Sequence, residues 1–120
     1  MIVGSKKGGK GTVTLHQYDK NNKTWSNDGR IFYQASSADY GTFWEMPVIV
    51  PMNDGKWLFA VTTLGAKNGV ETLYWVGSIN QDGTFNPYSH TPKEVDLGNM
   101  SKDGFGLLSP SVMHHDGKTV

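Results

Sequence analysis

The sequence predicts an all-β chain of antiparallel strands, and three observations carry that expectation. No apolar period of 3.6 residues survives over three turns, and 15 glycines and 5 prolines punctuate the 120 residues. Short runs rich in β-branched and aromatic residues recur along the chain. Asp-Gly occurs five times, at Asp28-Gly29, Asp54-Gly55, Asp82-Gly83, Asp103-Gly104 and Asp116-Gly117. That dipeptide suits tight hairpins, because both central residues of a type I′ turn need positive φ.

The elements follow in order. Met1–Val3 reads as a short strand. Gly4-Ser5-Lys6-Lys7-Gly8-Gly9-Lys10-Gly11-Thr12 has the glycine and lysine spacing of a phosphate loop. Gly11, however, stands where a hydroxyl must hold magnesium, and a strand pattern follows instead of a helix. The segment is therefore expected to be a basic hairpin loop. Thr12–Tyr18 is the next strand, followed by Arg30–Tyr33, Met46–Val50, Lys56–Thr63, Glu71–Ile79 and Leu108–His114. Met1–Val3 reads as mid-strand and Lys118-Thr119-Val120 as a strand just starting, so the chain is expected to be part of a larger β domain. Its open edges would be free to pair with another copy.

Composition narrows the function. Eleven basic and eleven acidic residues leave no net charge, which argues against electrostatic binding to nucleic acid or to an anionic membrane. No run approaches the roughly 18 apolar residues of a membrane helix. With no cysteine, thiolate metal sites, Cys nucleophiles and disulfides are excluded. His114-His115-Asp116 is expected to be a solvated turn, since neighbours on a strand point to opposite faces and cannot easily share an ion. The compartment is left open.

The segment that carries chemistry is Asp39-Tyr40-Gly41-Thr42-Phe43-Trp44-Glu45-Met46-Pro47-Val48-Ile49-Val50-Pro51. Glu45 is a lone carboxylate between aromatics and an apolar strand. One reading is structural, a glutamate paired with Arg30 or a lysine. The other is a general acid whose pKa is raised by apolar neighbours in a partly dry cleft.

Trp44-Glu45-Met46-Pro47-Val48 resembles the Trp-Glu-Cys-Pro-Asp acid/base motif of glycoside hydrolase family 32. The likeness continues in register. It runs through Lys56-Trp57-Leu58-Phe59, Tyr74-Trp75-Val76-Gly77-Ser78-Ile79 and Asp82-Gly83-Thr84-Phe85. It then extends to Val95-Asp96-Leu97-Gly98 and Gly106-Leu107-Leu108-Ser109-Pro110-Ser111.

The resemblance implies a five-bladed β-propeller of antiparallel four-stranded blades. At roughly 40–50 residues per blade, residues 1–120 would supply about two to three. It also implies retaining hydrolysis of fructosyl linkages in sucrose, levan or inulin, with carbohydrate as the only ligand and no cofactor or metal. Glu45 would be the general acid/base, and Phe43 and Trp44 would bind substrate. Met46 replaces the family's common Cys, Val48 its common Asp, and Leu108-Ser109-Pro110 its Tyr-Ala-Pro. The family's Asn-Asp-Pro nucleophile and Arg-Asp-Pro motifs are absent, so the chain alone is expected to be inactive. Two alternatives stay open: a non-catalytic carbohydrate-binding module using Trp25, Tyr40, Trp44 and Trp75, and a propeller hydrolase acting on another sugar such as arabinan.

Overall fold

A computed structural model describes residues 1–26, 29–95, 110–111 and 114–119. The Asp103-Gly104 turn, most of the Leu108–His114 strand, and the segments 96–98 and 106–109 of the family likeness lie outside them.

The first sheet has the order β1-β2-β5, with β1 at Ile2–Lys7, β2 at Lys10–Leu15 and β5 at Arg30–Gln34. Its first turn is Gly8-Gly9, both with positive φ, closed by the pair Lys7↔Lys10. The glycine-rich segment is thus a two-residue hairpin, as its strand-like flanks implied. The expected strand Thr12–Tyr18 stops at Leu15. Beyond it a separate ribbon forms from β3 (Tyr18–Asp19) and β4 (Thr24–Trp25).

The second sheet is a meander of β6 (Phe43–Pro51), β7 (Trp57–Leu64) and β8 (Thr72–Ile79). Two short strands, β9 (Phe85–Pro87) and β10 (Lys93–Glu94), both pair with β8 and together fill its outer side. The result is a five-stranded antiparallel sheet whose outer position is split between β9 and β10. A last hairpin joins β11 (His114–His115) to β12 (Lys118–Thr119).

The Asp-Gly pairs build two kinds of turn. At Asp54-Gly55 and Asp116-Gly117 both residues have positive φ, as a type I′ turn requires. At Asp82-Gly83 only the glycine does. There Gly83 N–H donates to Asn80 O, and Asp82 Oδ1 accepts from the Thr84 hydroxyl and N–H. Those bonds hold the Asp82 carboxyl below its usual range.

The core lies between the two sheets. Val13, Phe32, Tyr33 and Ala35 meet Trp44, Phe59, Val61, Leu73, Trp75 and Phe85. Alternation explains the second set: Phe59 and Val61 share one face of β7 and pair with Trp75 and Leu73 on β8. The Phe59 and Trp75 rings stack at 5.6 Å.

Tyr33 sits at the centre of this cluster, 7% exposed, with its hydroxyl 3.4 Å from His90 Nδ1. Burial, with the charge of Tyr40 adding to it, pushes its pKa up to about 12. The folded state therefore favours the neutral phenol. That stability is fully present below the usual tyrosine value near 10 and is lost as pH rises through about 12. Tyr33→Phe is expected to raise the midpoint of alkaline unfolding. A midpoint unchanged on circular dichroism titration would contradict it.

Candidate active site

Glu45 lies on β6, the edge strand of the second sheet. Trp44 pairs with Thr63 and Glu45 with Thr62, but the next pair is Val48↔Ala60. Met46 and Pro47 therefore stand together opposite Val61, which is a β-bulge. Met46 takes φ 47°, a left-handed conformation that costs a side-chain-bearing residue free energy. The extra residue reverses the alternation of the strand. Before it the even-numbered Trp44 faces the core; after it the odd-numbered Ile49 does, paired with Phe59. Pro47 is tolerated because β6 is an edge and a bulge needs no ladder bond there.

Trp44 and Glu45 consequently point to opposite sides. Trp44 is 0% exposed. Its rings lie 5.1 Å from Trp75, 5.9 Å from Tyr33 and 6.1 Å from Phe59. Its indole N–H donates to Tyr40 O at 2.8 Å. Tyr40 belongs to a one-turn 3-10 helix, Ala38–Tyr40, capped by the Ser37 hydroxyl accepting from Asp39 N–H. Gly41 O then accepts Gly11 N–H at 2.8 Å, tying this loop to β2.

The expectation that Trp44 binds substrate is corrected by this placement. A fully buried indole has no face to offer a sugar, and its position on the far side of the strand cannot surround Glu45 with apolar surface. The same burial removes Trp75, 2% exposed, from the carbohydrate platform the sequence suggested. Phe43 is half-buried and, two residues before Glu45 on the unbulged part of β6, shares its face.

Glu45 itself is exposed. Among the described residues it takes part in no ion pair; the pairs formed there are Lys67–Asp39 and His115–Asp116. Arg30, the partner that a structural glutamate would favour, instead donates to Asp82 O at 2.9 Å. The carboxylate is thus carried on a bulged strand and exposed. Among the described residues, no group of three or more His, Asp and Glu side chains could hold a metal ion. No helix among them is long and apolar enough to cross a membrane.

The site depends on two glycines. A Cβ on Gly4 would lie 2.3 Å from Trp44 O and 3.0 Å from Glu45 Cα, so β1 reaches the backbone of β6 only because no side chain intervenes. A Cβ on Gly11 would lie 2.4 Å from the Trp44 indole. Gly4→Ala must therefore push β1 and β6 apart at Glu45. It is expected to cost about 1–3 kcal/mol of stability and to lower activity beyond what that loss explains. Urea unfolding beside steady-state rates reads both; a variant equal to the parent in the two would show that the strands have slack.

A family model, the glycosyl hydrolases family 32 N-terminal domain, matches residues 1–103. The chain belongs to glycosyl hydrolase family 32. A search of curated proteins found no match. Family 32 places the two packed antiparallel sheets within a β-propeller, and the meander β6-β7-β8 with its split fourth strand has the form of a blade. Family membership also makes carbohydrate the ligand class and glycoside hydrolysis the chemistry.

Sequence reasoning missed Gly4, Gly11 and the left-handed Met46. For Met46 a signal was present. A proline inside a strand pattern marks an edge or a bulge, and Pro47 directly follows Met46.

Proposed function

We propose that this chain provides the acid/base carboxylate of a retaining β-fructosidase, and that Glu45 is that group. The observation that supports it is the state of Glu45: exposed, without an ion-pair partner among the described residues, and fixed beside a bulge within Trp44-Glu45-Met46-Pro47 of a family 32 chain. In the first half-reaction Glu45 gives a proton to the oxygen of the leaving sugar while another carboxylate attacks the anomeric carbon. In the second it takes a proton from water, which then releases fructose. Retaining enzymes hold the two carboxyl groups about 5–5.5 Å apart. The family's Asn-Asp-Pro pattern occurs nowhere in these 120 residues, so the attacking group must come from a segment outside them. Phe43, on the face of Glu45, is the residue we assign to the sugar subsite. Trp44 acts indirectly, as packing that fixes the strand.

The test is product analysis with the full-length protein on sucrose, inulin, levan and arabinan. Fructose release with retained anomeric configuration, followed by NMR at early times, is the expected result. Arabinose from arabinan without fructose from the other three would replace the fructosyl reading. Inverted configuration would remove the two-step mechanism.

A further inference from the structure

The ribbon β3–β4 stands apart from both packed sheets and pairs with no other strand among the described residues. Its cross-strand partners Tyr18 and Trp25 hold their ring centroids 5.0 Å apart at 49°. Such a pair stabilises a two-stranded ribbon, which accounts for the contact between the rings. It does not account for their outer surfaces, since each residue remains 46% exposed while Trp44 and Trp75 are buried.

The two rings border a shallow concavity completed by Gln17, Asp19, Thr24 and Ser26. Gln17 and Ser26 continue into a second concavity with Leu15 and Arg30. Apolar ring faces thus meet a rim of amide and hydroxyl groups. The charges on that rim are already engaged. Asp19 Oδ1 accepts from the N–H groups of Asn21 (2.8 Å) and Asn22 (3.2 Å), and Oδ2 accepts from Asn22 Nδ2 (2.8 Å). These bonds, those from Asn22 foremost, hold its carboxyl below the usual range. Arg30 is taken up by Asp82 O. Lys20 and Lys23 lie in the turn and line neither concavity.

A surface with aromatic faces, hydrogen-bonding edges and, among the described residues, charged groups that already hold hydrogen bonds fits a neutral, hydroxyl-rich ligand. A sugar ring offers apolar C–H faces to the aromatics and hydroxyls to the rim. The turn is braced by Asp19 before any ligand arrives, which lowers the ordering cost of binding.

We propose that Tyr18 and Trp25 form a second carbohydrate-binding platform, separate from Glu45, that holds a neutral fructan chain. The choice of fructan rests on the function proposed above; the platform does not. Gly4, against which Glu45 packs, pairs with Val13, and Tyr18 comes five residues later. At about 3.3 Å per residue the platform lies at most about 17 Å along the strand direction from the level of Glu45. It gathers polymeric substrate without occupying the catalytic face.

The experiment is electrophoresis of the full-length protein through gels containing levan, inulin or arabinan, with rates on sucrose and levan measured in parallel. The parent and Glu45→Gln should be retarded equally by fructan. Trp25→Ala and Tyr18→Ala should each weaken retention about tenfold, whereas Trp25→Phe keeps most of it. Trp25→Ala should leave sucrose turnover unchanged and raise the apparent KM for levan. Parent protein that no polysaccharide retards, or alanine variants retarded as strongly as the parent, would overturn the platform. Retardation by arabinan and not by fructans, lost in Trp25→Ala, keeps the platform and removes the fructosyl reading that chose its sugar.

Discussion

Glu45→Gln in the full-length protein is expected to lower turnover of sucrose and levan by at least about 10²-fold, the usual cost of losing a positioned general acid. The amide matches the carboxyl in size and keeps the bulged strand intact, so stability should hardly change at an exposed position. What it removes is the proton that a departing sugar alkoxide needs. The dependence on leaving group separates this role from a structural one. A nitrophenolate leaves with little help, so a nitrophenyl fructofuranoside should lose much less in its first step. Its second step still needs a base to activate water, and the variant should release a burst of nitrophenol before slowing. A glutamate that served only to brace the strand would depress both substrates alike. Unchanged fructose release from sucrose would dismiss Glu45 as the acid/base.

The candidacy of Glu45 was legible in the sequence; the strand geometry around it was only partly so. The strands were readable because β-branched and aromatic runs such as Lys56–Thr63 and Glu71–Ile79 are bounded by turn dipeptides, and β7 and β8 form within a residue of those limits. The Thr12–Tyr18 run misled. Its composition stays strand-like through Tyr18, but β2 ends at Leu15 and the next residues start the ribbon. Nothing local in Leu15-His16-Gln17 marks that break. It is fixed by contacts to other segments: His16 N–H donates to Met1 O, and the His16 ring bonds to Ser26 O.

The burial of Trp44 and Trp75 escaped the sequence reading for a related reason. Composition says that Phe43, Trp44 and Trp75 are large and apolar, but only the pairing register says which face each occupies. Trp44 and Glu45 are neighbours in sequence, and that adjacency itself places them on opposite sides of a strand. The bulge at Met46 then determines what lies beyond. Gly4 and Gly11 were unreadable as site residues because their contribution is a close approach between strands distant in sequence. It is the absence of a side chain, not the presence of one, that brings β1 and the Trp44 indole into place.

Trp44 joins the core to the strand that carries Glu45, and its truncation should have the largest effect on stability. Trp44→Ala removes a fully buried indole from between Tyr33, Phe59 and Trp75. It also leaves Tyr40 O without its 2.8 Å donor. Loss of a buried aromatic of this size costs about 3–5 kcal/mol, which is a large share of the stability of a small domain. The consequence for function follows from position. The indole anchors the residue before Glu45, and its N–H fastens the strand to the Ala38–Tyr40 turn. Without it the carboxylate remains in the chain but loses its fixed orientation, so kcat should fall under conditions where the variant is still folded. Trp44→Phe distinguishes the two contributions. It keeps much of the packing and loses only the donor, so its stability should lie between parent and alanine variant, with Tyr40 O unsatisfied. Urea unfolding of the three proteins, with rates measured well below each midpoint, provides the comparison. A Trp44→Ala protein as stable as the parent would mean that the core closes over the missing indole. A folded variant with unchanged kcat would mean that Glu45 is oriented by the bulge and Gly4 alone.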